Sequence, residues 1–145
     1  MTGIVIREMV PADFDEVARI GRKFANEIVI GKLSDEQVFA VINACFKTGL
    51  VLIAEKEEKI VGIIAGHCID YMSIGKTFDE VIWYVEEKNR GIGLILFKRM
   101  INLCKIKGCK GVFMTAYNNK HFYSVEKIYK KYEFNEAERK YYKKL

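Results

Sequence analysis

The fold is decided by residues 78–108, which read F-D-E-V-I-W-Y-V-E-E-K-N-R-G-I-G-L-I-L-F-K-R-M-I-N-L-C-K-I-K-G. Residues 81–85 form an unbroken apolar run of β-branched and aromatic side chains, typical of a strand that is buried on both faces. Apolar side chains then recur at helical spacing over residues 91–107, and Gly108 is a helix stop signal. The stretch therefore predicts a strand, a tight glycine turn and a helix.

The turn itself, K-N-R-G-I-G at residues 88–93, has the chemistry of a phosphate site. Two glycines allow a ligand to approach the backbone closely. N–H groups in the first turn of a helix lack intrahelical partners, and together with the helix dipole they attract anions. Lys88 and Arg90 add positive charge, although both could instead be solvated turn residues.

Two better-known phosphate motifs do not fit this region. The dinucleotide-binding fingerprint needs a third glycine, but that position holds Leu96. A P-loop ending at Thr77 would need a first glycine where Asp70 stands, and a strand rather than a helix is predicted to follow it.

Length and composition predict one globular domain over residues 1–145. Half of the 145 residues are hydrophobic, and 24 basic residues against 19 acidic ones give a net charge of +5. No signal peptide and no apolar run long enough for a membrane span is visible, so a cytoplasmic location is expected. The four cysteines lack metal-ligand spacing and only two histidines occur, which predicts reduced, buried thiols and no metal site.

The patterns along the whole chain predict an α/β fold around one mixed sheet, in the order β-α-α-β-β-β-α-β-α-β. Outside the central stretch, strands are predicted at 4–8, 50–55, 60–69, 111–117 and 138–144, and helices at 11–27, 35–46 and 121–132. A loop is predicted at 71–77. Gly62 and Gly66, inside a predicted strand, indicate a bulge or a close backbone approach.

The glycine turn resembles motif A of the GNAT N-acetyltransferase superfamily, Gln/Arg-x-x-Gly-x-Gly/Ala, which cradles the pyrophosphate of acetyl-CoA. Gly91 and Gly93 match, and Lys88 stands in the first place. Residues 128–134, I-Y-K-K-Y-E-F, resemble the Tyr-x-Lys-x-Gly-Phe ending of motif B, with Glu133 in place of the glycine. The predicted element order is also that of the GNAT fold over essentially the whole chain. More loosely, W-Y-V and the tyrosine-rich end are similar to phage-associated acetyltransferases.

The resemblance implies an acetyl-CoA-dependent N-acetyltransferase that transfers the acetyl group directly to an amine, with no metal. It implies fourth and fifth strands that are parallel and splay apart to admit the pantetheine arm. It also implies an acceptor site built from the first two helices and the loop at 71–77. The residues that it places against acetyl-CoA lie at the end of the strand and in the turn: Trp83, Tyr84, Val85, Lys88, Asn89, Arg90, Gly91, Ile92, Gly93 and Leu94.

Two residues are candidates for proton transfer. The motif B match makes Tyr129 a general acid for the departing thiolate, while its position on an apolar helix face is equally that of a core tyrosine. Glu80, at the predicted start of the central strand, is a candidate general base for the amine, or else a strand-edge charge. Weaker candidates for the base are Glu86, Asp79, Asp70, His67 and His121.

Two other functions stay open at this point. One is an acyl-CoA-binding module without catalysis. The other is a nucleic-acid-binding domain that uses residues 120–145, where eight Lys/Arg face four Glu, although a solvated surface explains this charge as well. The acceptor could be an antibiotic, a polyamine, a protein amino group or a small metabolite, and a homodimer is possible. Contact with a membrane is not expected.

Overall fold

The computed structural model describes residues 3–28, 31 and 33–145. Within these residues one five-stranded sheet has its strands in chain order. The strands are β1 (Ile4–Glu8), β2 (Gly49–Lys56), β3 (Lys59–Tyr71), β4 (Gly75–Val85) and β5 (Gly111–Phe113). The helices are α1 (Phe14–Ala25), α2 (Asp35–Thr48), α3 (Ile92–Ile106) and α4 (Phe122–Lys131), with 3-10 turns at Pro11–Asp13 and Glu87–Asn89.

The sheet separates two hydrophobic cores because alternate side chains of each strand point to opposite faces. Ile53 and Ile63 pack with the apolar faces of α1 and α2 on one side. Their neighbours Leu52 and Ile64 pack with α3 on the other side. The order of elements and this two-sided packing agree with the α/β fold class predicted from the sequence.

The pairing of β4 with β5 is parallel and very short. It consists of Thr77 with Gly111, Phe78 with Val112 and Asp79 with Phe113. β5 then ends, while β4 continues to Val85. The two chain segments therefore separate after three residue pairs, as the resemblance implied. We call the gap between residues 80–85 and residues 114–117 the splay.

A bulge on β4, opposite Ala65 and Gly66 of β3, lies at the start of the splay. Gly66 pairs with Glu80 and Ala65 pairs with Ile82, so β4 has one extra residue at this point. A Cβ on Gly66 would collide with the carbonyl oxygen of Asp79. The predicted bulge or close approach at Gly66 is therefore confirmed.

The loop predicted at 71–77 is wrong. β3 extends to Tyr71 and β4 begins at Gly75, so only a tight turn remains between them. The N–H of Ile74 donates to the carbonyl oxygen of Tyr71 at 3.0 Å, and Gly75 has a φ of 96° that favours glycine. β4 therefore starts six residues before the predicted start at residue 81, a difference that moves Glu80 from a strand end to a strand interior.

The strand predicted at 138–144 is also not formed, and β5 stops at Phe113 rather than at residue 117. Residues 135–145 are all exposed. The sequence E-R-K-Y-Y-K-K does not alternate apolar with polar side chains, so pairing would bury no apolar face. The described chain thus ends after α4 with an irregular segment.

Every helix in the described ranges is too short or too polar to cross a lipid bilayer.

Candidate active site

Two tyrosines make hydrogen bonds at the splay, where ladder hydrogen bonds between strands have stopped. The Tyr117 hydroxyl donates to the carbonyl oxygen of Val81 on β4 at 3.2 Å. The Tyr129 hydroxyl, from α4, donates to the carbonyl oxygen of Thr115 at 2.6 Å. Buried carbonyl groups need a donor, and here side chains supply it. Sequence analysis missed Tyr117 and Thr115, which looked like ordinary residues of a longer β5.

Glu80 lies at the start of the splay and is almost completely buried, with 5% of its surface exposed. Its Oε2 atom has no hydrogen-bond partner. Burial raises the pKa of this carboxyl to about 8, even though hydrogen bonding from Thr115 acts in the opposite direction; the charge of Asp79 adds to the increase. The predicted position of Glu80 at the start of a strand is wrong, because β4 begins at Gly75. With its raised pKa, the carboxyl is mostly neutral at pH 7.

Tyr129 has the position of a core tyrosine, and its hydroxyl also reaches the splay. Its ring is buried and packs against Trp83, Phe97 and Phe134, with ring centroids 5.6–6.2 Å apart. Its hydroxyl faces the splay through the hydrogen bond to Thr115. Burial, followed by the charges of Glu80 and Tyr117, raises the pKa of the Tyr129 phenol well above its usual value. The phenol therefore stays protonated over the whole physiological range and keeps its O–H group as a hydrogen-bond donor.

The end of α4 keeps the geometry of the motif that it resembles, despite the missing glycine. Glu133 has a φ of 65°, the left-handed conformation that glycine adopts most easily. The N–H of Phe134 then turns back and donates to the carbonyl oxygen of Tyr129 at 2.9 Å. The substitution of glutamate at this position is therefore accommodated with some backbone strain rather than by a different turn.

The glycine turn joins β4 to α3 as predicted, through the 3-10 turn at Glu87–Asn89. The helix begins at Ile92, whose side chain is buried against the sheet, while Leu94 is half-buried. The amides of Ile92 and Leu94 lie in the first turn of α3, where N–H groups have no intrahelical acceptor. The N–H of Gly93, in contrast, donates to the carbonyl oxygen of Arg90 at 3.0 Å.

Trp83 fixes the first turn of α3 to the strand. Its indole N–H donates to the carbonyl oxygen of Gly93 at 3.2 Å, and its ring stacks on Phe97 at 5.3 Å. A Cβ on Gly93 would lie 3.6 Å from Val85 and 3.7 Å from the indole nitrogen, which is ordinary contact. Packing alone therefore does not require glycine at position 93.

The two basic residues of the turn differ in what they contact. Arg90 pairs with Glu27 at the end of α1, at 3.2 Å, and its guanidinium lies over the Tyr84 ring at 5.3 Å. Lys88 is exposed, and within the described ranges it forms no ion pair. Asn89 accepts a hydrogen bond from Lys56 at 3.4 Å. Of the two charges, Lys88 is the one that is free to contact an anion.

The weaker candidates for a base lie in different environments. Glu86 forms ion pairs with Arg19 at 3.0 Å and Lys23 at 3.5 Å. His121 lies 3.5 Å from Glu27. Asp70 is exposed near the β3–β4 turn, whereas His67 and Asp79 are opposite each other only in the backbone register of β3 and β4.

An apolar cleft of about 100 Å³ opens beside the splay, between α1, α2 and β4. It shares Val81, Ile82 and Tyr117 with the splay, and its remaining lining residues are Gly21, Phe24, Ile28, Leu33, Val38 and Val41. The residues of the loop predicted at 71–77 are not part of its lining. A shallower depression of about 280 Å³ lies on the solvent face of α4 and includes no residue of the splay or the turn.

The thiols offer no nucleophile to this site. All four cysteines are free, and burial raises the pKa of Cys45 and Cys104 to about 12. A thiol must ionise before it attacks, so these two remain inert at neutral pH. Among the described residues no three His, Cys, Asp or Glu side chains gather in a way that could hold a metal ion.

Solved structures share this fold over nearly their whole length. A predicted acetyltransferase from Clostridium acetobutylicum, solved with acetyl-CoA, is 19% identical, with a TM-score of 0.78 over 97% of this chain and 96% of its own. Ribosomal-protein-alanine N-acetyltransferase from Brucella melitensis is 15% identical, with a TM-score of 0.78 over 99% of both chains. An aminoglycoside acetyltransferase from an uncultured soil sample is 20% identical, with a TM-score of 0.76 over 99% of this chain and 97% of its own.

No family model matches the chain, and no curated protein sequence matches it. At these identities the structural likeness concerns the fold alone. It confirms the fold that the resemblance to the GNAT superfamily implied, while the narrower resemblance to phage-associated acetyltransferases stays a prediction.

Proposed function

We propose that this protein is an acetyl-CoA-dependent N-acetyltransferase that moves the acetyl group directly to an amine. The observation that supports it most strongly is the parallel pair β4–β5, which separates after three residue pairs directly beside the glycine turn that opens α3. The fold shared with solved acetyltransferases adds to this support.

The residues present fit acetyl-CoA. The turn at 88–93 and the first turn of α3 offer free amides, the positive end of a helix dipole and Lys88 to the pyrophosphate. The edge of β4 from Trp83 to Val85 has no strand partner on the β5 side, so its backbone groups are available to the pantetheine amides. Arg90 contributes less in this proposal, because Glu27 and Tyr84 already hold its guanidinium.

When bound, acetyl-CoA supplies an activated acetyl thioester, and its transfer to a neutral amine releases the CoA thiolate. Tyr129 is the group of this chain that we assign to the leaving sulfur. A phenol with a raised pKa is a weaker acid than an ordinary thiol, so complete proton transfer to sulfur is unfavourable. Tyr129 therefore acts chiefly by donating a hydrogen bond to the thiolate, after turning its hydroxyl away from Thr115.

Glu80 is the group that we assign to the proton of the amine. An ammonium beside a buried carboxylate is desolvated together with it, and passing the proton to Glu80 makes both groups neutral. The pKa of about 8 fits this role, since a general base is most effective when its pKa lies near the ambient pH. The carboxyl must be ionised before it can accept, so this route becomes available as the pH rises towards 8.

The proposal is tested by measuring acetyl-CoA binding by calorimetry and thiol release with a panel of primary amines. We expect binding in the micromolar to sub-millimolar range and thiol release with at least one amine. Binding without any thiol release would instead support the acyl-CoA-binding module. Absence of binding would overturn the assignment of the turn.

A further inference from the structure

We propose that the acceptor is a monoamine with a short, branched aliphatic group, and that this group occupies the cleft between α1, α2 and β4. This inference rests on the proposed function and narrows it. The amine nitrogen would lie at the splay beside Glu80. Its apolar group would lie against Phe24, Val38 and Val41.

Among the described residues, those that line the cleft have no formal charge. The only polar side chain in this described lining is Tyr117, whose hydroxyl is already bound to the carbonyl oxygen of Val81. An acceptor with hydroxyl or amino groups along its length would lose hydrogen bonds to water here and find no partners, at a cost for each group. An aliphatic group instead gains free energy by leaving water.

The size of the cleft limits the apolar group. A cavity of about 150 Å³ holds a benzene ring, and this cleft measures about 100 Å³. The space is kept open by Gly21, because a Cβ there would lie 2.8 Å from Val38 and 2.9 Å from Ile42. A branched group of roughly three to five carbons is therefore expected to fit, and a bulky ring system is not.

Charge argues against a polycation. Aminoglycosides and polyamines have several ammonium groups, and each needs an acidic partner or water. Near the cleft, Glu27 is paired with Arg90, and Glu80 is a single buried carboxyl. The net charge of +5 repels polycations further. One buried acid suits one ammonium, even though the fold is shared with an aminoglycoside acetyltransferase.

The cleft also places the amine at the reacting position. Val81, which lines the cleft, follows Glu80 in the chain, and burial, followed by the charge of Glu80, raises the pKa of Tyr117 on the opposite wall. The new N–C bond forms as the thioester C–S bond breaks. Of the two protons lost by the ammonium, one passes through Glu80 to solvent and the other ends on the thiol of CoA.

The test compares matched amines with acetyl-CoA in a thiol-release assay. 3-Methylbutylamine represents a free small amine, and a leucine-initiated tripeptide represents a protein amino terminus. Their polar counterparts are 2-methoxyethylamine and a serine-initiated tripeptide, with spermidine and kanamycin as polycations. We expect kcat/KM to be at least tenfold higher for one branched aliphatic amine than for its polar counterpart and for both polycations. Equal or faster turnover of a polycation would overturn the inference and leave the proposed function intact.

Variants of the cleft add a readout that does not depend on turnover. Val41→Trp, on a half-buried residue, should weaken binding of 3-methylbutylamine or the leucine tripeptide at least tenfold by ligand-observed NMR with CoA present. Ala40→Trp, on the exposed neighbouring residue, is the matched control and should leave this binding unchanged. If Val41→Trp does not fold, Leu33→Asp replaces it, because Leu33 is 41% exposed.

The NMR result also separates the two proposals. If no amine releases thiol but the aliphatic amine binds and loses affinity in Val41→Trp, the cleft is supported and the enzyme activity is not. If Val41→Trp, or Leu33→Asp in its place, binds every amine with the wild-type affinity, the cleft is not the acceptor site.

Discussion

The glycine turn opens α3, which packs on one face of the sheet, whereas the apolar cleft lies under α1 and α2 on the other face, and different interactions build them. The turn consists of backbone amides and charges from six consecutive residues, of which Lys88, Arg90 and Gly91 are exposed. The cleft consists of side chains from α1, α2, β4 and Tyr117, which are far apart in the chain. A site made of backbone can be destroyed by one residue, whereas a site made of packed side chains should change its specificity in steps.

One contact links the two regions. Glu27 follows the end of α1, directly before the cleft residue Ile28, and it forms an ion pair with Arg90 of the turn at 3.2 Å. The splay lies between them, with Tyr129 beside the α3 core and Tyr117 beside the α1 core. Variants of the turn, of the two tyrosines and of Glu80 can therefore separate cofactor binding from catalysis.

The largest effect is expected for Gly93→Asp, which puts a negative charge in the first turn of α3, beside the amides that we assign to the phosphates, while its Cβ points towards Val85 and Trp83. Binding of acetyl-CoA should be lost in calorimetry while the protein stays folded by circular dichroism. Gly93→Ala is the control, since its Cβ makes only ordinary contacts with Val85 and Trp83. It should retain measurable binding. A folded Gly93→Asp protein with unchanged affinity would show that the turn is not the phosphate site.

Next in size is the effect of Tyr129→Phe on turnover. The variant loses the donor for the thiolate, and kcat should fall by roughly tenfold to a thousandfold while the Kd for acetyl-CoA stays the same. Tyr117→Phe is the matched control. Each variant leaves one buried carbonyl oxygen without its hydrogen-bond donor, and each should lower the free energy of unfolding by about 1–3 kcal/mol. If Tyr129→Phe loses about as much stability as Tyr117→Phe but keeps the wild-type turnover, Tyr129 is a core tyrosine without a role in catalysis.

A smaller, pH-dependent effect is expected for Glu80→Gln. In the wild type, kcat/KM for an alkylamine should rise with pH and bend near pH 8, where the carboxyl ionises. In the variant the bend near pH 8 should be absent, and the rate should keep rising towards the pKa of the amine, near 10. Around pH 8 the kcat/KM of Glu80→Gln should be about tenfold lower than that of the wild type, and this difference should shrink at higher pH. Superimposable profiles would remove Glu80 from the mechanism.

The same substitution should change how stability depends on pH. The pKa of Glu80 is about 8 in the folded protein and near 4.5 when unfolded, so the folded state binds the proton more tightly. The contribution of this group to the free energy of unfolding is complete below about pH 4.5. As the pH rises to 8, this contribution of a few kcal/mol is lost. Chemical denaturation at pH 5 and pH 8 should show that wild-type stability falls more than that of Glu80→Gln. An equal fall in both proteins would mean that the carboxyl is not buried as described.

The smallest effect distinguishes the two cations of the turn. Lys88→Ala should weaken acetyl-CoA binding about threefold to tenfold and reduce its dependence on salt, because an exposed ammonium contacts the phosphates. Arg90→Ala should do less, since Glu27 and Tyr84 occupy its guanidinium. The reverse order would mean that Arg90 leaves Glu27 when the cofactor binds.

Sequence reasoning succeeded where the signal was local. The turn at 88–93 and the start of α3 depend on neighbouring residues, and the cap of α2 by Ser34 formed as its side chain predicts. The separation of β4 from β5 was implied by resemblance, because no residue of either strand encodes it. Residues 71–77 were predicted to be a loop, but the pairing of β3 with β4 extends both strands to a tight turn.

The environment of Glu80 and Tyr117 could not be predicted in this way. Burial of Glu80 follows from the early start of β4 and from the bulge directly after it, which are properties of paired strands. Tyr117 reaches Val81 only because the chain leaves the sheet after Phe113. The cleft likewise depends on how α1 and α2 pack together, which no single segment specifies.

The most direct test of the central claim, that the turn holds the pyrophosphate of acetyl-CoA, is a comparison of backbone amide NMR shifts with two ligands. CoA contains the pyrophosphate and pantetheine lacks it. We predict that CoA shifts the amides of Arg90, Gly91, Ile92 and Leu94 strongly, while pantetheine at saturating concentration leaves them in place and shifts only residues of the splay. Saturation with CoA without movement of the turn amides would contradict the account.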